Sequence, residues 1–155
     1  GLNTDCQEHA YVLKKGETAV PTYLSEAFKK GNRVQDIFTG NFELGKTGNE
    51  ILAASLAQGK AEGMRPAIYT HPLGTYGHSS GTTLGMWDSQ GGVPVNGDYP
   101  LHYDTVYAIE LNTTVNIPQW KKDIRIMLEE AGFFGKQGFR YVNGRQEAIK
   151  PITWK

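Results

Sequence analysis

The sequence predicts an α+β domain with helices packed on one face of an antiparallel sheet. Helical periodicity is confined to the first part of the chain, where Leu24, Ala27 and Phe28 share one face and Leu52, Ala53, Leu56 and Ala57 share another. Strand-like apolar runs then follow one another at 105–115 and 123–130, with a third around Phe139, Tyr141 and Val142. Helices first and strands after is the order of an α+β layer, because a parallel sheet needs the two to alternate.

Each element has a local cause. Residues 2 to 13 lead into Ala-Tyr-Val-Leu, a short strand ended by the Lys-Lys-Gly turn, with Asp5 just ahead of it. From Thr18 to Phe42 the pattern is helical, and Gly31 is expected to break it into two pieces. Asn32 with Gln35 then caps the second piece, and Val34, Ile37 and Phe38 continue the stripe. Thr47 followed by Glu50 opens the next helix and Gly63 ends it. Pro66 introduces Ala-Ile-Tyr-Thr, a short strand that delivers His71. The glycine- and proline-rich stretch from Asp88 to Tyr103 is a loop. Trp120 and Lys121 mark the turn between the two best strands, and the remainder runs on as a C-terminal extension ending in Trp154.

Length and charge bound the function. With 155 residues the chain is read as one domain, able to bury a core without disulfides. Lysine plus arginine equal aspartate plus glutamate, 16 of each, so no basic surplus argues for nucleic acid or an anionic membrane. The expected partner is a small molecule or peptide. Cys6 is the lone cysteine, so no internal disulfide is expected and a reducing, cytoplasmic setting fits. No apolar run approaches the roughly 18 to 20 residues that span a bilayer. No signal peptide is evident, and the abrupt opening Gly-Leu-Asn-Thr-Asp reads as the interior of a larger protein, with Gly1 left from cloning.

The chemistry concentrates between His71 and Asp88, in His-Pro-Leu-Gly-Thr-Tyr-Gly-His-Ser-Ser-Gly-Thr-Thr-Leu-Gly-Met-Trp-Asp. Glycines this dense allow tight turns, and a histidine directly after one, as His78 is, projects as a ligand or a substrate contact. Two carboxylates further on, Glu110 in Val-Tyr-Ala-Ile-Glu-Leu and Glu129 in Ile-Arg-Ile-Met-Leu-Glu-Glu, interrupt apolar runs. A buried carboxylate needs a cation, either a metal ion or an arginine such as Arg125. Alternation puts Val106, Ala108, Glu110 and Asn112 on one face, where small side chains leave room for an ion. On the next strand Glu129 and Glu130 point to opposite faces, and alternation alone does not choose between them. His9 and His102 read as surface groups and Cys6 as a passive small side chain. Leu84, Met86 and Trp87 read as core.

An aspartate before a strand, a Gly-His after a helix and strand, and two glutamates on successive late strands resemble the metal-binding set of the pita-bread metallopeptidases. That family includes methionine aminopeptidase, aminopeptidase P, prolidase and the creatinase-like enzymes, and the Xaa-Pro branch is the most similar. The resemblance covers nearly the whole chain as the C-terminal portion of the catalytic domain. It implies a pita-bread fold truncated at its N-terminus, with helices on a curved antiparallel sheet. It assigns metal ligation to Asp5 in Asn-Thr-Asp-Cys-Gln, His78 in Gly-His-Ser-Ser-Gly, Glu110 in Ala-Ile-Glu-Leu and Glu129 in Met-Leu-Glu-Glu. It thereby selects Glu129 over Glu130. His71 stands for a family histidine that contacts substrate, and Glu129 doubles as the proton acceptor.

The resemblance implies one or two divalent ions, manganese, cobalt, zinc or iron, and hydrolysis of the N-terminal bond of a peptide substrate. Two departures qualify it. The family's first aspartate lies further upstream of Asp5 than this sequence reaches, so the second metal is expected to be weakened or lost. A second histidine after the Gly-His segment is replaced near Trp87. The alternative expectation is a pita-bread domain that has lost catalysis and serves as a peptide-binding or assembly module, and in either case this fragment can be without bound metal. Sheet edges left uncovered by truncation point to a homo-oligomer.

Overall fold

A computed structural model describes residues 5–153, so the expectations attached to Gly1 and Trp154 lie outside the described residues. Two helices, α1 (Thr22–Gly40) and α2 (Gly48–Ala61), lie on a sheet built from strands of the second half. Chain order begins with the short β1 (Ala10–Val12) and, after the helices, continues through β2 (Pro66–Ile68), β3 (His71–Gly74) and β4 (Gly77–His78). The long strands β5 (Thr105–Ile117) and β6 (Lys122–Gly135) follow, then β7 (Gly138–Tyr141) and β8 (Lys150–Ile152). The main sheet runs β4-β3-β5-β6-β7, with β2 pairing β5 further along, and every pairing in it is antiparallel. The strands β1 and β8 form a separate parallel pair. No helix among the described residues is long and apolar enough to cross a membrane.

The expected break at Gly31 is absent: α1 runs through it as one helix of 19 residues. A Cβ built on Gly31 would stand 2.6 Å from Ile126 Cγ2 and 2.8 Å from Leu128 Cδ1, so this glycine lets the helix press onto β6 rather than ending it. Asn32 and Gln35, expected as a cap, are consequently buried inside the helix. The cap at Thr47 holds. Its hydroxyl accepts from the Glu50 backbone N–H at 3.2 Å, while the Glu50 carboxylate accepts from the Thr47 N–H at 2.8 Å. The Pro66–Thr70 run, expected as one strand, is β2 followed by a step into β3.

The helices cover the sheet face that carries Tyr107, Ile109, Leu111, Ile126 and Leu128, against Phe28, Phe38, Ile51 and Leu52. Strand alternation then turns Ala108, Glu110 and Asn112 to the opposite face, where Leu73, Ala108 and Ala131 form a small second cluster. The core therefore lies on one side of β5 and β6, and the polar residues of interest on the other.

Gln146, 7% exposed, ties the chain's two ends together. Its side chain accepts from the His9 N–H at 2.7 Å and donates to the His9 and Ala148 carbonyls at 2.7 and 2.9 Å. Its backbone N–H donates to Glu130 at 2.8 Å and its carbonyl accepts from the Asn32 amide at 3.0 Å. His9 is thus not the surface group expected. It is half-buried, packs edge-on against Phe28, and its ring N–H donates to the Met127 carbonyl at 2.6 Å. His102 and Cys6 are exposed.

Candidate metal centre

Glu110 and Glu129 are Cα partners in the β5–β6 ladder, so their side chains stand side by side on the face away from the helices. Glu130, one residue on, pairs with Ile109 and turns to the other face, where its carboxylate receives the Gln146 N–H. Geometry separates the two glutamates that alternation alone left open. The Glu110 backbone is fixed by Thr70, whose hydroxyl donates to its carbonyl at 3.2 Å and accepts from its N–H at 3.0 Å. Nothing in the sequence marked Thr70, because its task arises only where β2 steps into β3 alongside β5.

The imidazole beside these carboxylates is His71, from β3, with Nε2 3.8 Å from Glu110 Oε2. His71 Nδ1 lies 3.1 Å from the Pro72 carbonyl. A carbonyl only accepts, so the ring proton sits on Nδ1 and Nε2 presents a lone pair. Burial also lowers the His71 pKa, which keeps the ring neutral. His71 Nε2 and Glu129 Oε1 are both buried without a hydrogen-bond partner among the described residues. Two acceptors side by side need a proton, a water or a cation between them, and a divalent ion fits a site that carboxylates also line.

The carboxyl groups register the same strain. Glu129, 2% exposed, is pushed up to about 7, first by burial and then by the charges of Glu110 and Asp5. Glu110 is raised by burial and by Asp5. The ligand atoms of His71, Glu110 and Glu129 lie within 4.8 Å of one another, and those of Asp5, His71 and His78 form a second such group. His71 joins the two. Asp5 reaches this point because its segment lies against β6, with the Gln7 N–H donating to the Glu129 carbonyl at 2.9 Å.

His78, expected as the ligand beside the glutamates, instead stacks on His71, with ring centroids 3.6 Å apart and planes 9° from parallel. It touches the Asp5 end of the cluster, and His71, expected as a substrate contact, occupies the place next to Glu110 and Glu129. Gly-His dominated the sequence as a motif, whereas His71 wins in space because β3 pairs directly with β5, placing it opposite Ala108. Arg125 makes no ion pair with Glu110 or Glu129. It sits opposite Thr114, two pairs along the same face.

The cluster opens into a cavity of about 1120 Å³ whose lining includes Tyr69, Trp87, Asn112, Arg125 and Met127. The Asn112 amide donates to the Tyr69 hydroxyl at 3.2 Å, which fixes both side chains on the floor. Leu84 is core, as expected, but Met86 and Trp87 are not: they are 43% and 76% exposed and line the cavity. Gly85 makes the difference. Its φ of +79° and its approach to the Ile68 carbonyl, 2.1 Å from where a Cβ would sit, reverse the chain between Leu84 and Met86.

No protein-family model matches the chain, and no curated protein does either. Solved structures do match. Over 97% of this chain and 38% of the other, it superposes on the X-Pro aminopeptidase of Thermotoga maritima with a TM-score of 0.67 at 16% identity. The chain has a pita-bread fold. The dipeptidase PepE of Mycobacterium ulcerans matches 99% of this chain and 37% of its own, at TM-score 0.64 and 16% identity. The N-terminal domain of the FACT complex subunit SPT16 from chickpea matches 88% of this chain and 32% of its own, at TM-score 0.59 and 16% identity. The pita-bread chain described here thus spans about 38% of the length of the peptidase structures it resembles.

Proposed function

We propose that residues 1–155 act as one domain of a longer, divalent-metal peptidase that hydrolyses the N-terminal bond of peptides, of the Xaa-Pro aminopeptidase or dipeptidase type. The observation that supports this most is the convergence of His71, Glu110 and Glu129, with the orphaned acceptors His71 Nε2 and Glu129 Oε1 facing a shared point. Two oxygen donors and one imidazole, with Asp5 or His78 at the margin, suit manganese, cobalt, zinc or iron. The site would hold a divalent ion through these residues, and such an ion would supply Lewis-acid chemistry for a scissile carbonyl and a bound water.

The chain's own residues supply the rest. Glu110 and Glu129 would hold the ion, whose charge would offset their mutual repulsion. His71 is oriented by Pro72, and Glu129 would accept the proton that the attacking water gives up. His78, exposed and stacked on His71, faces the cavity where a substrate carbonyl would lie. The exposed, unpaired Cys6 is in keeping with a cytoplasmic setting. Association of copies through uncovered strand edges belongs to the same proposal, and sedimentation across a concentration series reads it.

A second reading is an assembly module without catalysis, favoured by the likeness to the N-terminal domain of a FACT complex subunit. One experiment separates the two. Purified protein is titrated with manganese, cobalt and zinc while an Xaa-Pro peptide is followed. Metal-dependent cleavage supports the peptidase, and peptide binding without cleavage in any metal supports the module.

A further inference from the structure

The cavity lining holds an arginine with no ion pair among the described residues. Four of the five arginines are engaged: Arg33 by Glu62, Arg65 by Asp123, Arg145 by Asp36 and Glu147, and Arg140 over the Phe133 ring. The Arg125 side chain, by contrast, makes neither an ion pair nor a hydrogen bond among the described residues, and it is exposed into the cavity that Glu110 and His71 also line. Lys60, at the end of α2, lines the same cavity and adds a second positive charge to it.

The β5–β6 register fixes how far this charge stands from the carboxylates. Glu110–Glu129, Asn112–Met127 and Thr114–Arg125 are successive pairs on one face. Four residues of strand, at about 3.4 Å each, separate Glu129 from Arg125 by about 14 Å. Strand side chains stand roughly perpendicular to the sheet, so the guanidinium keeps that offset. The cavity is therefore acidic at one end and cationic at the other, with Met127 between and Trp87 elsewhere in the lining.

We propose that Arg125 receives the free C-terminal carboxylate of a short, extended peptide whose first peptide bond lies at the Glu110–Glu129 end. An extended peptide advances about 3.3 Å per residue, so a carboxylate reaches Arg125 when the peptide is four or five residues long. A dipeptide's carboxylate falls short by about three residues. The planar guanidinium suits this task, since it grips a carboxylate through two parallel N–H donors. The substrate class is thus a tetra- or pentapeptide with a free C-terminus, a selection by length that rests on the peptidase reading above.

The test is direct binding by calorimetry of a peptide series from two to seven residues, alanine with proline second, each as free acid and as C-terminal amide. Wild type is expected to bind the four- and five-residue acids at least roughly tenfold more tightly than their amides, and Arg125→Ala to abolish that ratio. Arg125→Lys, keeping charge without the fork, falls between. Arg125 is exposed and unpaired, so the variants should fold, and thermal melts verify it. Equal binding of acids and amides by wild type, or tightest binding of dipeptides, overturns the proposal. A separate manganese titration of the wild type reads the metal centre. Acid preference without metal binding would remove the peptidase reading alone, and metal binding without acid preference would remove the Arg125 site alone.

Discussion

Glu110 and Glu129 face each other directly across the β5–β6 ladder, with no arginine or lysine among the described residues paired to either. Without an ion this arrangement costs stability, and the cost depends on pH. Glu129 is raised from 4.5 to about 7 in the folded state, so its contribution to stability is intact below pH 4.5 and is lost as pH rises through 7. Thermal melts of metal-free protein at pH 5 and pH 8 should therefore show Glu129→Gln gaining on wild type at the higher pH, by on the order of 1–3 kcal/mol. A constant difference across that range would mean that Glu129 is not strained.

The same strain predicts linkage between metal and protons. Binding an ion must displace the proton that Glu129 carries near neutrality, so affinity should fall as pH drops from 8 to 6. Calorimetry in two buffers of different ionisation enthalpy should detect proton release, and no release at pH 6.5 would contradict the assignment.

The Gln146 clasp holds the segment that carries Asp5. Gln146→Ala removes three side-chain hydrogen bonds from a buried site, leaving the His9 N–H unpaired and the His9 carbonyl with the Lys150 N–H alone. A loss of about 2 kcal/mol or more is expected. Hydrogen exchange should show the Gln7 amide, now bonded to Glu129, opening well before the amides of β5, and uniform opening would indicate a merely global effect.

Helix-to-sheet contact at Gly31 gives a prediction of opposite sign to helix propensity. Alanine is the better helix former by about 1 kcal/mol, yet its methyl group would collide with Ile126 and Leu128. Gly31→Ala should destabilise the protein by a net ~1–3 kcal/mol in denaturant unfolding. Stabilisation instead would show that α1 has room to move off β6.

Much of this architecture was legible because its signals are local. The Thr47–Glu50 cap, the loop from Asp88 and the long strands bearing Glu110 and Glu129 need only neighbouring residues to be read. What escaped depends on contacts between distant segments. Gly31 looks like a helix stop until Ile126 is seen against it, and Met86 and Trp87 look like core until Gly85 turns them outward. His71 attracted less notice than His78 because no motif records that β3 lies beside β5. Thr70 and Gln146 act through backbone partners 40 and 137 residues away in sequence, a separation at which periodicity carries no information.

The account rests on an ion held between His71, Glu110 and Glu129, and isothermal titration of the metal-free protein with manganese, cobalt and zinc addresses it most directly. Wild type should bind with a defined stoichiometry, and His71→Ala, Glu110→Gln and Glu129→Gln should each weaken binding by at least roughly tenfold while remaining folded. Unchanged affinity in all three variants, or no binding of any of these ions by the wild type, would contradict it.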